Sequence, residues 1–264
     1  MSIASPNLSV MIAAARKAAR RLVRDFGEVE NLQVSLKGQG DFVSNADRKS
    51  EETIRDELMR ARPAYGWLGE ETGAEDGQDG MHRWIVDPLD GTTNFLHGIP
   101  HWCISIALER KGEITHGVIY DPIKDEMFTA EKGGGAWLND RRLRVSGRRD
   151  LSMMLFGCGV PFAGSRHLPR FLRELAALMP QCAGVRRGGA AALDLAYVAA
   201  GRLDGYWERG INAWDVAAGA LLVREAGGLL RELSRDGADP VATGDILAAN
   251  AEAADQVLAI LRAA

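Results

Sequence analysis

Hydrophobic residues recur at helical spacing near the start of the chain and again throughout its last third. The spacing predicts an amphipathic helix over residues 7–27, with Val23 on its apolar face, and another after residue 47. Further helices are predicted over 168–179, 190–200, 213–226 and 251–262. Short strand candidates lie between them, around Val185, Tyr206, Leu229 and Ile246. This alternation of helices and strands predicts an α/β arrangement for the last third.

The middle of the chain follows a strand pattern instead. Between residues 102 and 145, short β-rich runs are separated by turn signals such as Lys111-Gly112 and Asn139-Asp140, which predicts an antiparallel meander. The pattern changes after residue 146. We therefore predict two halves without a flexible linker between them, an α+β half over 1–146 and an α/β half over 147–264.

Composition and charge narrow the classes of protein. The chain has 264 residues, of which 46% are hydrophobic, so it can bury a large core. A net charge of −4 argues against nucleic acid as a partner. Three widely spaced cysteines are typical of a reducing compartment, so we expect a cytoplasmic protein. The apolar run at 11–15 stops at Arg16, so it is too short for a secretory signal or for a membrane-spanning helix, and we expect neither.

The first candidate site is the run from Trp84 to Phe95. Asp87 and Asp90 lie where an apolar segment stops, and the carbonyl group of Leu89 lies between them. These oxygen atoms suit a hard cation such as Mg²⁺. Gly91 allows a ligand to approach the backbone, and Thr92 can start a helix whose N–H groups attract an anion. Taken alone, the segment is also compatible with a simple polar turn, which is the less favoured interpretation.

Other acidic residues strengthen the metal hypothesis. Glu70 follows an apolar pair, Asp215 opens an apolar helical run, and Asp47 precedes an amphipathic stretch. Each could be a capping charge at a helix or strand end. If four or five carboxylates pack together, however, they raise one another's pKa values and destabilise the site unless cations neutralise them. The acidic set therefore predicts a divalent metal cofactor.

These motifs resemble the inositol monophosphatase family, which belongs to a larger group of Mg²⁺-dependent, lithium-sensitive phosphatases that includes the fructose-1,6-bisphosphatases. The elements that match are 69–71 (Gly-Glu-Glu), 87–92 (Asp-Pro-Leu-Asp-Gly-Thr) and 214–219 (Trp-Asp-Val-Ala-Ala-Gly). The similarity extends from about residue 37 to about residue 228. It implies a layered αβαβα sandwich, a homodimer and an active site at the junction of the two halves.

The resemblance also implies roles for individual residues. One Mg²⁺ would be held by Glu70, Asp87 and the Leu89 carbonyl, a second by Asp87, Asp90 and Asp215, and a third, weaker one near Glu70. Thr92 and Asp47, with Glu70 beside them, would be the catalytic residues that act on the attacking water. The implied substrate contacts are Asp90, Gly91, Thr92, Ala191, Glu208 and Asp215. The implied reaction is hydrolysis of a small phosphate monoester, in which two ions stabilise the attacking and leaving oxygens.

Some alternatives are excluded by the sequence and others stay open. A cysteine phosphatase needs Arg six positions after its Cys, which none of the three cysteines has. By the family resemblance, Asn94 favours inositol 1-phosphate as substrate over histidinol phosphate or 3′-phosphoadenosine 5′-phosphate, and fructose 1,6-bisphosphate stays open as an alternative. Ala190 stands where many relatives carry a hydroxyl residue, which predicts looser discrimination. A regulatory role as a partner of the transcription machinery is the alternative of a different class.

Overall fold

The computed structural model of the protein describes residues 5–28, 34–38, 41–161 and 165–264. The helices in these ranges are α1 (Pro6–Phe26), α2 (Asn45–Ala61), α3 (Thr92–Leu96), α4 (Leu168–Leu178), α5 (Ala191–Ala199), α6 (Ala213–Glu225), α7 (Pro240–Thr243) and α8 (Ala254–Ala263). The strands are β1 (Val34–Gly38), β2 (Asp41–Ser44), β3 (Gly66–Gly69), β4 (Gly73–Glu75), β5 (His82–Asp90), β6 (Cys103–Arg110), β7 (Glu113–Asp121), β8 (Glu126–Glu131), β9 (Gly135–Leu138), β10 (Arg141–Arg142), β11 (Leu155–Cys158), β12 (Gly184–Arg186), β13 (Gly205–Glu208), β14 (Leu229–Glu232) and β15 (Ile246–Ala249).

The strands form two large sheets and one hairpin. The larger sheet has the order β10-β9-β8-β7-β6-β5-β3-β4, and within it only the pair β3 and β5 is parallel. The predicted meander corresponds to β6 through β9 of this sheet. The smaller sheet has the order β12-β11-β13-β15-β14, with β12, β11 and β13 parallel and the remaining pairs antiparallel. The strands β1 and β2 pair separately.

The sheets and helices stack in five layers. Helices α1 and α2 cover one face of the larger sheet, and α5 and α6 cover its other face. Beyond α5 and α6 lies the smaller sheet, whose outer face is covered by α4 and α8. This order confirms the predicted αβαβα sandwich. The chain makes it because both faces of the larger sheet are apolar and each needs a covering layer.

Alternation along β5 decides which way its side chains point. Trp84 and Val86 belong to the core cluster under α1 and α2, whereas Ile85 belongs to the cluster around α5 and α6. Successive side chains of a strand point to opposite faces. Asp87 follows Val86 and therefore faces α6, the helix in which Asp215 lies.

The first helix shows one difference from the prediction. It spans Pro6–Phe26, close to the predicted bounds, and the Ser5 hydroxyl caps it by accepting a hydrogen bond from the Leu8 amide at 3.3 Å. Its buried face runs through Met11 and Leu22, but Val23 is 42% exposed. The prediction for Val23 is therefore wrong, because the face is centred on the small alanines that pack against the sheet. None of the described helices combines the length and the apolar character that a bilayer crossing requires.

The two predicted halves share one core. The larger sheet is built from residues 66–142 and the smaller from 155–249. Nevertheless, one cluster of buried residues includes both Ile119 from the first sheet and Tyr206 from the second. The boundary at 146/147 falls between the sheets, and we retain it as a proposal.

Candidate active site

The acidic turn lies at an interruption in β5. Asp87 pairs with Ser105 and Asp90 with Cys103, and the ladder is irregular between these two positions. Pro88 lies in this gap because it has no N–H group to donate. The strand itself continues to Asp90, beyond the end of the apolar segment. The interruption leaves the turn free to present oxygen atoms outward from the sheet.

Glu70 reaches the same place from the neighbouring strand. β3 and β5 are parallel, with Gly69 opposite Val86, so their carboxyl ends lie side by side. The Glu70 amide donates to the Val86 carbonyl oxygen at 3.2 Å. Parallel pairing therefore brings Glu70 and Asp87 together, although they are 17 positions apart in sequence.

A cavity of about 210 Å³ collects most of the predicted residues. Its lining includes Leu89, Gly91, Thr92 and Ala191 together with the five carboxylates Glu70, Asp87, Asp90, Glu208 and Asp215. Among the described lining residues Arg187 is the one basic side chain. Of the predicted site residues, Asp47 alone is outside the lining, buried in the first turn of α2. The cavity is therefore strongly acidic, as expected from the sequence.

Electrostatics in the cavity is dominated by burial and by repulsion between carboxylates. Burial, followed by repulsion from Glu70, Asp90 and Asp215, raises the pKa of Asp87 well above its ordinary value. Burial and the charge of Asp90 do the same to the pKa of Asp215. Burial raises the pKa of Asp90 to about 6, and a hydrogen bond from the Ala192 amide opposes this shift. The folded chain pays a free-energy cost to hold these groups charged.

The donor set fits a hard divalent cation. Carboxylate and carbonyl oxygens are the ligands that Mg²⁺ and Ca²⁺ prefer. Within the described residues no three His, Cys, Asp or Glu side chains already have the arrangement of a complete metal site. Three of the carboxylates instead accept hydrogen bonds from backbone amides: Asp87 from Leu89 at 2.9 Å, Asp215 from Asn212 at 2.7 Å and Asp90 from Ala192 at 2.7 Å. The ligand assignment therefore stays a proposal.

Asp90 joins the two halves of the chain, which was not predicted. Its carboxylate accepts hydrogen bonds from the amides of Ala191 at 3.2 Å and Ala192 at 2.7 Å, at the start of α5. A negative charge is stabilised at a helix N-terminus. Asn94 makes a second link, since its amide donates to the carbonyl oxygens of His101 at 2.7 Å and Gly188 at 2.9 Å.

The buried polar face of α2 holds both turns that carry predicted ligands. The Ser50 hydroxyl donates to the Pro88 carbonyl oxygen at 2.9 Å. The Glu51 carboxylate accepts from the amides of Glu71 at 2.8 Å and Thr72 at 3.0 Å, directly after Glu70. A carboxylate four residues after Asp47 on a helix is the signal that could have indicated Glu51, since both lie on one face.

The side of the cavity that was predicted to contact the substrate is built from small residues and one acid, Glu208. Gly91 has φ +92°, and a Cβ atom there would lie 3.0 Å from the His101 carbonyl oxygen, so glycine is required. The Thr92 hydroxyl donates to the Leu89 carbonyl oxygen at 3.0 Å. Across the cavity, Glu208 accepts a hydrogen bond from the Tyr206 hydroxyl, and burial raises its pKa to about 7.

A cysteine also lines the cavity without the character of a nucleophile. Cys158 is buried, and burial raises the pKa of its thiol to about 12. The thiolate is the reactive form of cysteine. This agrees with the sequence analysis, which excluded a cysteine phosphatase.

Comparison with known proteins identifies the class. Residues 4–264 match the model of the inositol monophosphatase family. An inositol-1-monophosphatase of Mesorhizobium japonicum is 61% identical over 92% of this chain and 91% of its own. The Nus factor SuhB of Pasteurella multocida is 44% identical over 96% of this chain and 95% of its own. The crystal structure of extragenic suppressor protein suhB from Bartonella henselae superposes with a TM-score of 0.93, at 54% identity, covering 96% of this chain and 97% of that one.

Fold and acidic cavity thus define a metal-dependent phosphatase. The chain belongs to the inositol monophosphatase family. The family match extends beyond residues 37–228, where the sequence motifs indicated it, and includes α1 and α8.

Glu51→Gln is expected to weaken the response to divalent cations. A glutamine amide has one acceptor oxygen, so one donor of the Glu70 turn loses its partner. We expect the Mg²⁺ concentration for half-maximal activity to rise by about 10- to 100-fold. Mn²⁺ binding, followed by electron paramagnetic resonance, should weaken in parallel. Glu52→Gln, on the exposed face of the same helix, is the matched control, and equal effects of both variants would contradict a specific role for Glu51.

Proposed function

We propose that the protein hydrolyses myo-inositol 1-phosphate to inositol and phosphate, with Mg²⁺ as its cofactor. The observation that supports the proposal is the convergence of Glu70, Asp87, Asp90 and Asp215 on one cavity that also contains Gly91 and Glu208. Relatives named inositol-1-monophosphatase, such as the Mesorhizobium japonicum protein, support the choice of substrate.

Carboxylates from both halves would hold the cofactor. Glu70, Asp87 and the Leu89 carbonyl form one proposed ligand set, and Asp87, Asp90 and Asp215 form the other. When bound, the cations would neutralise charge on the attacking and leaving oxygens. We retain a third, weaker ion near Glu70 as a prediction from the family resemblance.

The chain's own groups would bind the phosphate and the water. The amides of Gly91 and Thr92 are proposed to hold the phosphate, in a backbone turn that a Cβ atom at Gly91 would crowd. Thr92 and Asp47 are proposed to orient the attacking water and to accept its proton. Asp47 lies one turn before Ser50, which is hydrogen-bonded to the acidic turn. α2 therefore anchors the catalytic residues from behind.

Glu208 and the residues opposite it would recognise the alcohol part of the substrate. A carboxylate accepts hydrogen bonds from vicinal hydroxyl groups. Asp90, Asp215 and Ala191 are proposed to complete the contacts. Ala190 offers no hydroxyl, so we expect related sugar phosphates to be accepted to some extent.

A substrate panel tests the proposal. We expect Mg²⁺-dependent phosphate release to be fastest with myo-inositol 1-phosphate and slower with fructose 1,6-bisphosphate, 3′-phosphoadenosine 5′-phosphate and histidinol phosphate. Glu208→Gln is expected to raise KM for the inositol ester about 10-fold, because a polar contact to the substrate is weakened. For 4-nitrophenyl phosphate, which has no hydroxyl groups, KM should stay unchanged. A faster rate with another member of the panel would refute the substrate assignment.

A second candidate function is a partnership with the transcription machinery. It is favoured by relatives named Nus factor SuhB, one of them 44% identical over nearly its whole length. Absence of activity on all four esters would favour this role. We also propose a homodimer from the family resemblance, and light scattering of the purified protein would test it.

A further inference from the structure

Residues 208–212 form one wall of the cavity, and Arg209 is the residue of this wall that faces away. Glu208, Gly210, Ile211 and Asn212 all line the cavity, whereas Arg209 does not. The Arg209 side chain instead enters the protein behind the wall, where it is only 6% exposed.

The guanidinium group of Arg209 binds three separate parts of the fold. Its Nε atom donates to Glu174 Oε1 at 2.8 Å, and Glu174 is fully buried in α4. One terminal nitrogen donates to the Ser234 hydroxyl at 2.7 Å and to Asp245 Oδ2 at 3.2 Å. Ser234 lies just after β14, and Asp245 lies just before β15. A rigid, planar fork that meets several partners fixes both position and orientation.

The same neighbours hold the backbone of the wall. The Gly210 amide donates to Asp245 Oδ1 at 3.0 Å, so Asp245 binds both the side chain of Arg209 and the backbone that follows it. The Ile211 amide donates to the Gly244 carbonyl oxygen at 3.2 Å. The wall is thus fastened from behind at consecutive residues, and Arg209 is the central contact.

Glu208 has little freedom on its other side. Its carboxylate bonds to the Tyr206 hydroxyl, and a Cβ atom on Gly159 would lie 1.8 Å from the carboxyl carbon. A small displacement of the wall would therefore break the bond to Tyr206 or press Glu208 against the Gly159 backbone. The position of Glu208 depends on the anchor next to it.

We propose that Arg209 is a positioning residue for substrate recognition: held by Glu174, Ser234 and Asp245, it sets Glu208 at the place where the hydroxyl groups of the substrate bind. The inference rests on the proposed function, in which Glu208 contacts the alcohol part of the ester. Because Glu208 is proposed to contact the alcohol part of the ester and not the reacting phosphate, loss of the anchor acts on KM for a polyol ester and leaves kcat nearly constant.

The test compares Arg209→Met, Glu208→Gln and the double variant in the full-length, Mg²⁺-loaded protein. Arg209→Met raises KM for myo-inositol 1-phosphate about 10-fold, while kcat and the KM for 4-nitrophenyl phosphate change less than about 3-fold. The double variant has the KM of Glu208→Gln alone, because both changes remove one interaction. An unchanged KM in folded Arg209→Met, or additive effects in the double variant, would overturn the proposal.

Arg170→Met is the matched control. Arg170 donates to the same Glu174 Oε1 at 3.1 Å from the surface of α4, but it does not touch the wall. It is expected to keep the wild-type KM, and an increase equal to that of Arg209→Met would assign the effect to the charge of the cluster and overturn the proposal.

Folding and the proposed function are checked separately. If Arg209→Met does not fold, because it leaves Glu174 buried with one partner fewer, Glu174→Gln/Arg209→Met removes that charge and serves as the test variant, with the same expected KM. Arg209→Lys keeps the charge without the planar fork, so its KM should lie between that of the wild type and that of Arg209→Met. Failure of the proposed function would show in the wild type as absent hydrolysis of myo-inositol 1-phosphate, whereas failure of the Arg209 inference shows only in the variants.

Discussion

Asp87→Asn or Asp215→Asn is expected to give a folded protein whose phosphatase turnover is lower than that of the wild type by a factor of about 100 or more. Asp87 is only 2% exposed, and its pKa is raised by burial and by repulsion from three other carboxylates. Asparagine has almost the same shape and keeps an oxygen to accept from the Leu89 amide, but it has no charge to offer a cation. The fold is therefore kept while the cation site is lost. Phosphate release at saturating Mg²⁺ and thermal unfolding measure the two effects.

Thermal unfolding separates this explanation from a structural one. Without divalent cations, Asp87→Asn should melt at least as high as the wild type, because one buried charge has been removed. Asp236→Asn is the control, since Asp236 is 90% exposed and lies outside the cavity lining, and its turnover should equal that of the wild type. Turnover near the wild-type level in either site variant would refute the ligand assignment.

The residues that could be predicted from sequence lie at points where local structure changes. Glu70 follows a strand, the acidic turn interrupts one, and Asp215 is in the first turn of a helix. At such points Gly, Pro and the end of an apolar run mark the boundary in the sequence itself. The layered order was implied by the family resemblance, whereas the helix and strand patterns alone predicted an antiparallel meander and an α/β arrangement for the last third.

The residues that could not be predicted act across long separations. Asp90 and Ala192 are 102 positions apart, and Arg209 and Glu174 are 35 apart. Nothing in the sequence near Arg209 distinguishes a buried anchor from a surface charge at a strand end. β11 (Leu155–Cys158) was missed for a related reason, since four residues with a central glycine give no pattern, and the strand is stabilised by its parallel neighbours on both sides.

The unpredicted contacts all stabilise loops whose own residues are suited to the proposed chemistry and not to local stability. The carboxylates of the acidic turn repel one another. Hydrogen bonds from Ser50 and from the amides at the start of α5 hold the turn in its conformation. Sites of this kind sacrifice local stability, which the surrounding structure must supply. That division explains why the proposed ligands could be predicted from sequence and the residues that support them could not.

Removal of divalent cations is expected to lower the melting temperature, and to lower it more at pH 8 than at pH 6. The pKa values of Asp90 and Glu208 are raised to about 6 and about 7, and those of Asp87 and Asp215 are raised well above their ordinary value. A carboxyl group with a raised pKa binds its proton more tightly in the folded state, so the cation-free protein loses stability as pH rises through these values. Cations at 100 times Kd restore about 2.7 kcal/mol, or about 5–10 °C for a chain of this size.

The pH dependence of the decrease in melting temperature shows whether the cations act in the cavity. Protons and cations compete for the same carboxylates, so at pH 6 the proton already relieves part of the repulsion and chelation removes less. In Asp87→Asn the cation site is expected to be lost, so chelation should have little effect on the melting temperature at either pH. Differential scanning calorimetry with and without a chelator measures both proteins at each pH. An equal loss at pH 6 and pH 8 in the wild type would show that the cations stabilise some other part of the molecule, because only groups that titrate in this range can make the loss depend on pH.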